Sequence, residues 1–536
     1  MASHAKLAEE LIAREESLRG DRAPQEALWQ DVANYVIPRK ATFTEEVTPG
    51  TERNRTILDS TAPRSLELFA SFLHTLSNNP AVQWFKVELE GDGADEAMKQ
   101  TIVQQWCEEV SKRMKRYMEA PRCNVYSTLH EGNLDLGAFG TDVEFTEMVG
   151  NDLRIRSFHL QDVVIDEDAY GVVDTVLRTA CYSQRQAQQL FPDYKPKKKG
   201  AKAKFLHATF PTTDSEYADL LPARVRAAGQ PYASIWIDTE EKSVLRSSGF
   251  EEFPYSVSRW YRERRNMYGC SPAMTVLPDV RMVNRMSDTI LRGAEKLVDP
   301  PMAIPEGGLV SPVRMFPGGL TFTEGNWDPK PLIPPGASRI EVGDGLLKQR
   351  QDNIERGFFV PLFASPDSPV KTATEVLQSR DERNRAVAPM VTRLQTERYG
   401  TLLLRVFGLL LRAGLLPPIP QEAQRYKVAV RYVSPLSASQ HELESLGTLR
   451  IIEALLPWAQ IAPGVLDIFD PDEVAKVVHA GSGAPSKIMR TKSALEQFRK
   501  IKLEAQQRAE QNANLLASAD AQAKLVTANA RAKAAA

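Results

Sequence analysis

Residues 275–299 read TVLPDVRMVNRMSDTILRGAEKLVD, and residues 361–375 read PLFASPDSPVKTATE. In the first stretch Val280, Val283, Met286, Ile290, Ala294 and Leu297 fall at steps of three and four, one face of an α-helix. Asp279, Arg281, Asn284, Arg285, Asp288 and Arg292 take the other positions. Pro278 suits a first helical turn, where its missing N–H costs little. Asp299-Pro300-Pro301 ends the helix, because proline biases the residue before it away from the helical region. Nine prolines stand between Pro300 and Pro335, with Gly307-Gly308 and Gly318-Gly319 among them. That density rules out helix and leaves runs such as Leu320-Thr321-Phe322 free to pair as strands with a neighbouring chain. Helical sequence resumes from Val342 to Phe359. The second quoted stretch is too proline-rich for helix as far as Lys371. Thr372 and Glu375 then form a capping box. It opens a helix expected from Ala373 to Leu411, with Pro389 kinking it or loosening one turn.

Working outward, the chain has 536 residues, enough for roughly three or four domains. It is 42% hydrophobic and 25% charged, the balance of an ordinary folded protein. The formal charge of −2 lacks the basic excess of a protein that grips nucleic acid across a broad face. Cys107, Cys123, Cys181 and Cys270 are far apart with no CxxC pair, which argues against a disulfide framework or zinc site and suits a reducing compartment. The N-terminus runs straight into a charged helical pattern and has no apolar core of a signal peptide. The most apolar run, residues 402–411, is interrupted by Arg405 and is too short to span a bilayer. It reads as a buried helix.

Toward the N-terminus, residues 5–37 read as helical with a break at Gly20–Pro24, where Asp21 or Ala23 precedes Pro24 in a new first turn. Residues 40–56 read as loop and Ser60–Leu76 as helix, with Leu66, Phe69, Ala70 and Leu73 on one face. Asn78-Asn79-Pro80 stops it. Gln83–Leu89 alternates like a strand, Asp95–Met118 reads as helix with Asp95 as N-cap, and Val125–Phe139 as helix ending in a glycine turn. From Asp142 the pattern changes to short strands, with a hairpin formed by 162–166 and 172–176. A short helix at Ser183–Phe191 and strands at 204–209, 233–237 and 244–245 follow. Beyond residue 420 come a β-like stretch to 440, helices at 442–461 and 471–479, and a long Ala/Gln/Lys-rich helix from Pro485 through Ala534.

Catalytic patterns are missing from the sequence: no P-loop, no HExxH, no GxSxG, and seven scattered histidines. Asp166-Glu167-Asp168-Ala169-Tyr170-Gly171 matches the start of a calcium loop, but Leu177 stands where a bidentate Glu is needed and strands flank it, so it reads as a hairpin turn. Asp470 and Asp472 read as helix capping and dipole charge rather than metal ligands. The basic stretch Lys195–Lys204 reads as a solvated loop. Arg259-Trp260-Tyr261-Arg262 with Arg264 and Arg265 suits either an intersubunit surface or a strand end with solvated charges.

With these pieces in order, the chain resembles the portal proteins, or head-to-tail connectors, of short-tailed podovirus-type bacteriophages. The resemblance runs over nearly the whole chain. It rests on Asp21-Arg22-Ala23-Pro24 with Tyr35-Val36-Ile37-Pro38, and on the helix Ala62–Leu76 followed by Trp84-Phe85. Gly137-Ala138-Phe139-Gly140, Tyr268-Gly269-Cys270-Ser271-Pro272 and the helix–loop–helix from Thr275 to Leu411 complete it.

The resemblance implies a mixed α+β, mainly helical ring subunit with wing, stem, clip and crown, and a ring of about twelve copies with cyclic symmetry. It implies a wing at 1–270, stem helices at 271–298 and 342–360, and a clip at 299–341. It further implies a channel loop at 361–372, a long helix and wing return at 373–439, and a crown with a C-terminal helix at 440–536. Phe363, Ser365, Asp367, Ser368 and Lys371 would face the channel, and Pro305, Arg314, Phe316, Phe322 and Trp327 would dock partners. Those partners would be double-stranded DNA passing through the ring, the terminase large subunit, a tail adaptor, and the major capsid and scaffolding proteins. The ring would sit at one capsid vertex of the virion, assembled in the host cytoplasm with no membrane and no cofactor, and it would not be an enzyme. Near-neutral charge fits such a bore, since each phosphate contact adds affinity that resists sliding. Two other readings stay open: a different virion structural protein, such as a tail adaptor or minor capsid protein, and an enzyme whose site leaves no motif.

Overall fold

The structure, a computed structural model, describes residues 2–298 apart from 46–47, 49, 54, 56, 99, 196–201 and 215. It then describes 302–303, 330–331, 340–363, 389, 391–433, 445–457, 463–482 and 494–512. The chain forms two compact units, fewer than its length suggests. The first holds Met1–Val87, Val110–Pro417 and Ala429–Leu436, and the second Glu88–Glu109, Pro418–Val428 and Ser437–Ala536.

Within the first unit, α1 (Ala2–Val36) is one continuous helix and runs through the expected break at Gly20–Pro24. Pro24 removes one backbone hydrogen bond. The helix continues because Arg22, 2% exposed, is fixed by tertiary bonds from Nη1 to the carbonyls of Leu160 (2.9 Å) and Val163 (2.5 Å). Leu7, Ala8 and Leu11 cover a five-stranded antiparallel sheet, where they pack with Val164, Leu177, Leu206, Phe210, Ile235 and Ile237. Each fully buried Val, Leu, Ile or Phe side chain among them contributes about 1.5–3 kcal/mol.

That sheet has strand order β4-β5-β6-β7-β8, from β4 (Val163–Glu167), β5 (Val173–Tyr182), β6 (Ala203–Pro211), β7 (Tyr232–Asp238) and β8 (Ser243–Phe250). The expected hairpin is its β4–β5 edge. A second sheet orders β3 (Asp152–Phe158), β2 (Thr141–Val149) and β9 (Tyr255–Arg259) around β2. Helix α2 (Thr61–Ser77) packs its Leu66 and Phe69 on α5 (Val125–Phe139). The approach is so close that a Cβ at Gly137 would lie 2.5 Å from Leu66. Short helix α6 (Gln184–Leu190) starts at a Ser183/Gln186 capping box, and α7 (Ala223–Ala228) contributes Val225 to the core.

Helix α8 (Pro272–Val298) begins earlier than Pro278 suggested: Pro272 takes the first position and Pro278 lies inside. Its partner α9 (Ile340–Gly357) packs along it, and Gln351 Nε2 of α9 donates to Asp59 Oδ2 (2.7 Å). Asn284, grouped with the polar face in the sequence, is instead buried: its Oδ1 accepts from the amides of Leu58 (2.9 Å) and Asp59 (3.3 Å). Arg350 of α9 pairs with Asp279 of α8 at 2.9 Å. Phe358 and Phe359 then turn the chain into α10 (Val360–Phe363), so the stretch expected to be non-helical from Pro361 opens with a helical turn.

Helix also spans residues 391–412. A wider π turn at Gln395–Gly400 interrupts it before the apolar segment Thr401–Arg412, which buries Leu402, Leu403, Val406 and Leu410. The capping box at Thr372–Glu375 and most of the expected helix from Ala373 lie outside the described residues. No helix among the described residues is long and apolar enough to cross a membrane.

Strand β1 (Phe85–Glu90) pairs with Lys427–Tyr432, as the β-like reading of 421–440 expected. The expected helix Asp95–Met118 is split into α3 (Ala94–Met98) and α4 (Thr101–Met118), which places Asp95 inside α3 rather than capping it. In the second unit Pro471–Ser482 is helical and Asp470 caps it, accepting at Oδ1 from the Asp472 amide (2.8 Å). Residues 445–457 and 494–512 are helical, as expected.

Candidate functional site: the junction that launches the paired helices

Among the described residues no cluster of His, Cys, Asp or Glu could hold a metal ion. The calcium-like sequence is a plain turn: Asp168 Oδ1 accepts from the amides of Tyr170 (2.9 Å) and Val172 (2.8 Å). Instead, four of the sequence motifs converge on one place, the point where α8 leaves the first unit.

Gly140 ends α5 in the left-handed region at φ 76°. A Cβ there would lie 2.4 Å from the Gly269 carbonyl oxygen, so two backbones meet in a space that admits no side chain. Strands β10 (Tyr261–Arg262) and β11 (Gly269–Cys270) bring the chain back to this point. The Gly269 amide donates to Thr141 Oγ1 (2.8 Å), and the Trp260 amide donates to the Gly140 carbonyl (2.9 Å). Ser271 Oγ donates to the Ala138 carbonyl (2.8 Å) and accepts from the Met274 amide (3.0 Å). It therefore caps α8 and ties its first turn to α5 at once. Tyr268 Oη accepts from the Ile165 amide (3.2 Å), and its ring meets Trp29 edge-on at 5.1 Å. The Arg22 guanidinium lies 5.8 Å from the Trp29 ring and 5.9 Å from that of Tyr268. Phe69 packs edge-on against Trp260 (5.0 Å) and Phe358 (6.4 Å), which brings the end of α9 to the same junction.

At the far end of the α8–α9 pair, β12 (Met302–Ala303) pairs antiparallel with β13 (Lys330–Pro331). The proline-rich insertion thus leaves and returns side by side.

The chain that returns through 391–412 is fastened by charge. Arg398, 0% exposed, donates to Glu144 Oε1 (2.6 Å), Asn133 Oδ1 (2.6 Å) and the Leu129 carbonyl (2.9 Å), and lies 3.3 Å from Asp142. Two buried carboxylates share one guanidinium. Burial, then repulsion from Glu144, hold the Asp142 carboxyl well above the usual carboxylate range against the pull of Arg398. Burial works against the Arg398 charge, yet Glu144 and Asp142 outweigh it and hold its pKa above the ordinary value. Glu397 accepts from Arg259 (2.8 Å to Nη2), which also pairs with Glu167 (2.8 Å). Arg259 is 2% exposed and is an internal strut, whereas Arg262, Arg264 and Arg265 just beyond it are exposed, so the strand end carries solvated charges everywhere but at Arg259. Arg405 and Arg412 clasp Glu252 at 2.9 and 2.5 Å. Burial pushes Glu252 up, but the two arginines win and bring its pKa below the ordinary value.

Of the residues expected to face the channel, Phe363 ends α10. Ser365, Asp367, Ser368 and Lys371 lie outside the described residues, as do Pro305, Arg314, Phe316, Phe322 and Trp327. The buried group of Asp142, Glu144 and Arg398 was missed in the sequence. Its signal was the alternation Asp142-Val143-Glu144-Phe145, which places acids on one face of a strand and apolar residues on the other.

A family model described as bacteriophage head to tail connecting protein matches residues 8–489. The probable portal protein of Bordetella phage BPP-1 is 27% identical over 543 residues, covering 96% of this chain and 94% of its own. The portal protein of Salmonella phage epsilon15 is 24% identical over 497 residues, covering 89% and 87%. Two solved structures align at a TM-score of 0.34. A virion of a native gene transfer agent particle, at 13% identity, is matched over 85% of this chain and 99% of its own. The neck of such a particle, at 12% identity, is matched over 83% and 98%.

Proposed function

The chain belongs to the bacteriophage head to tail connecting proteins, and from that premise we propose that it is the portal subunit: copies close into a ring at one capsid vertex, through which double-stranded DNA enters and leaves. A head-to-tail contact that closes gives cyclic symmetry, and about twelve copies is the expected number. Residues 1–270 form the wing. Helices 271–298 and 342–360 form the stem around the bore. Residues 299–341 form the clip, which docks the terminase large subunit during packaging and a tail adaptor afterwards, through Pro305, Arg314, Phe316, Phe322 and Trp327.

In this reading residues 361–372 are the channel loop, with Phe363, Ser365, Asp367, Ser368 and Lys371 toward the DNA. Residues 373–439 return to the wing, and 440–536 form the crown. The major capsid and scaffolding proteins hold the ring in the virion, which assembles in the host cytoplasm. The part is structural, and ATP hydrolysis belongs to the packaging motor.

The observation that carries this reading is the helix pair. α8 leaves the junction, the ends of the insertion pair as β12 and β13, and α9 returns to the same junction at Phe358. Such a pair holds an insertion away from the wing while its base stays fixed. The test is removal of Ile304–Pro334. Rings should still form, while motor and tail docking are lost. Normal tail attachment by the shortened chain would overturn the clip assignment.

A further inference from the structure

The helix that returns to the wing contains one residue too many for an α-helix, and the excess has a geometric effect. Upstream of the turn Val391 and Leu394 are buried; downstream Leu402, Leu403, Val406 and Leu410 are buried. At about 100° per residue in an unbroken α-helix, the centres of these two stripes would differ by roughly 105°. The π turn at Gln395–Gly400 holds one additional residue and takes back about that angle, so both stripes face the same core. The exposed residue of the turn is Thr396; Arg398 and Tyr399 are its buried ones. Arg398 is held by Glu144, Asn133 and the Leu129 carbonyl, and Tyr399 Oη donates to Ser77 Oγ (2.7 Å). Glu397, in the same turn, accepts from Arg259. Three consecutive side chains thus fix the turn to α5, β2, α2 and β9.

Around this turn and on β2 and β9, several buried polar atoms lack a hydrogen-bond partner: Glu144 Oε2, Thr146 Oγ1, Ser258 Oγ, Arg398 Nε and Asp142 Oδ2, the last held only by its 3.3 Å ion pair with Arg398. Asp142 and Ser258 are paired residues of β2 and β9. The contact between sheet and turn is polar and incompletely bonded, unlike the apolar packing of Leu402, Val406 and Leu410. A contact chosen for stability alone would be apolar, since a buried ion pair is weak support for a fold.

We propose that the π turn at Gln395–Gly400 sets the rotational position of the chain entering from the channel loop, with Arg398 as the positioning residue that pins that setting to the wing. This rests on reading residues 361–372 as the channel loop. Removing one residue from the turn returns it to α geometry and rotates everything upstream by about 100° relative to Thr401–Arg412.

The experiment uses the full-length chain in assembled particles. One variant deletes Thr396. A second carries R398M with D142N and E144Q, which removes the pin without leaving unpaired buried charge. Ring mass, melting and packaged DNA are read for both, beside a chain lacking Ala364–Val370. Both turn variants should form rings of wild-type mass, the triple substitution melting near the wild type and the Thr396 deletion lower because it turns Val391 and Leu394 off the core, while retained DNA falls by about tenfold in both. Wild-type DNA retention in both, with loss in the loop deletion, would overturn the inference and leave the loop reading intact. Wild-type retention in the loop deletion would overturn the loop reading itself. Failure of both turn variants to form rings would also overturn the inference, because the turn would then support the fold rather than set a position.

Discussion

Replacing Arg398 with methionine probes the best-defined charge in the first unit. Arg398, Asp142 and Glu144 are each 0% exposed at the side chain. The substitution keeps a similar apolar stem and removes the guanidinium, leaving two carboxylates, Asn133 Oδ1 and the Leu129 carbonyl without their donor. Breaking a buried pair by removing one partner costs about 3–5 kcal/mol. Against a total stability of about 5–15 kcal/mol for a typical protein, that is a large fraction. The assay is urea unfolding followed by tryptophan fluorescence, with Trp84, which packs on Tyr399 at 5.6 Å, as a nearby reporter. The loss should shrink on acidification. The Asp142 carboxyl is already held above its ordinary value and loses the pull of Arg398, so the variant gains relative stability as this carboxyl takes up a proton. A loss below about 1 kcal/mol at neutral pH would refute the premise that the guanidinium compensates these acids.

Three further outcomes are expected. Asp142→Asn should match the wild type in acid and gain on it as pH rises toward neutrality: a carboxyl with a raised folded pKa gives stability that is lost as pH climbs through that value, and asparagine does not titrate. Parallel pH profiles of the two proteins would count against a raised Asp142 pKa. Gly140→Ala should cost about 2 kcal/mol or more from left-handed strain and overlap with the Gly269 carbonyl, read as a lowered unfolding midpoint; an unchanged midpoint would remove the close approach from the account. Cys181 is exposed and should react with a thiol reagent in the native protein, whereas burial pushes Cys107 up to about 11 and Cys123 up to about 12 and should protect both until unfolding.

Local pattern revealed the elements whose periodicity answers to one buried face. Helix α2, helix α5 with its glycine end, the β4–β5 hairpin and the short helix expected at Ser183–Phe191 all stand where the sequence places them. The motifs Asp21–Pro24, Gly137–Gly140 and Tyr268–Pro272 were visible as sequence but not as neighbours, because only the folded chain sets Gly140 against Gly269 and Arg22 beside Tyr268. Pro24 and Pro278 misled for a common reason. Each was read as a helix start from local preference, and tertiary bonds carried the helix through. Arg398 was hidden more deeply: its acids lie more than 250 residues earlier in the chain. The π turn was encoded in the angle between two apolar stripes, which a single-period reading treats as one imperfect helix.

The measurement that tests the central claim most directly is a reconstruction of the capsid vertex by electron cryomicroscopy. The account predicts one closed ring of about twelve copies at a single vertex. The helix pair 272–298 and 340–357 should surround the bore, with residues 299–341 at the end facing out of the capsid. Helix pairs at the ring's outer edge, or copies distributed over the whole shell, would contradict it.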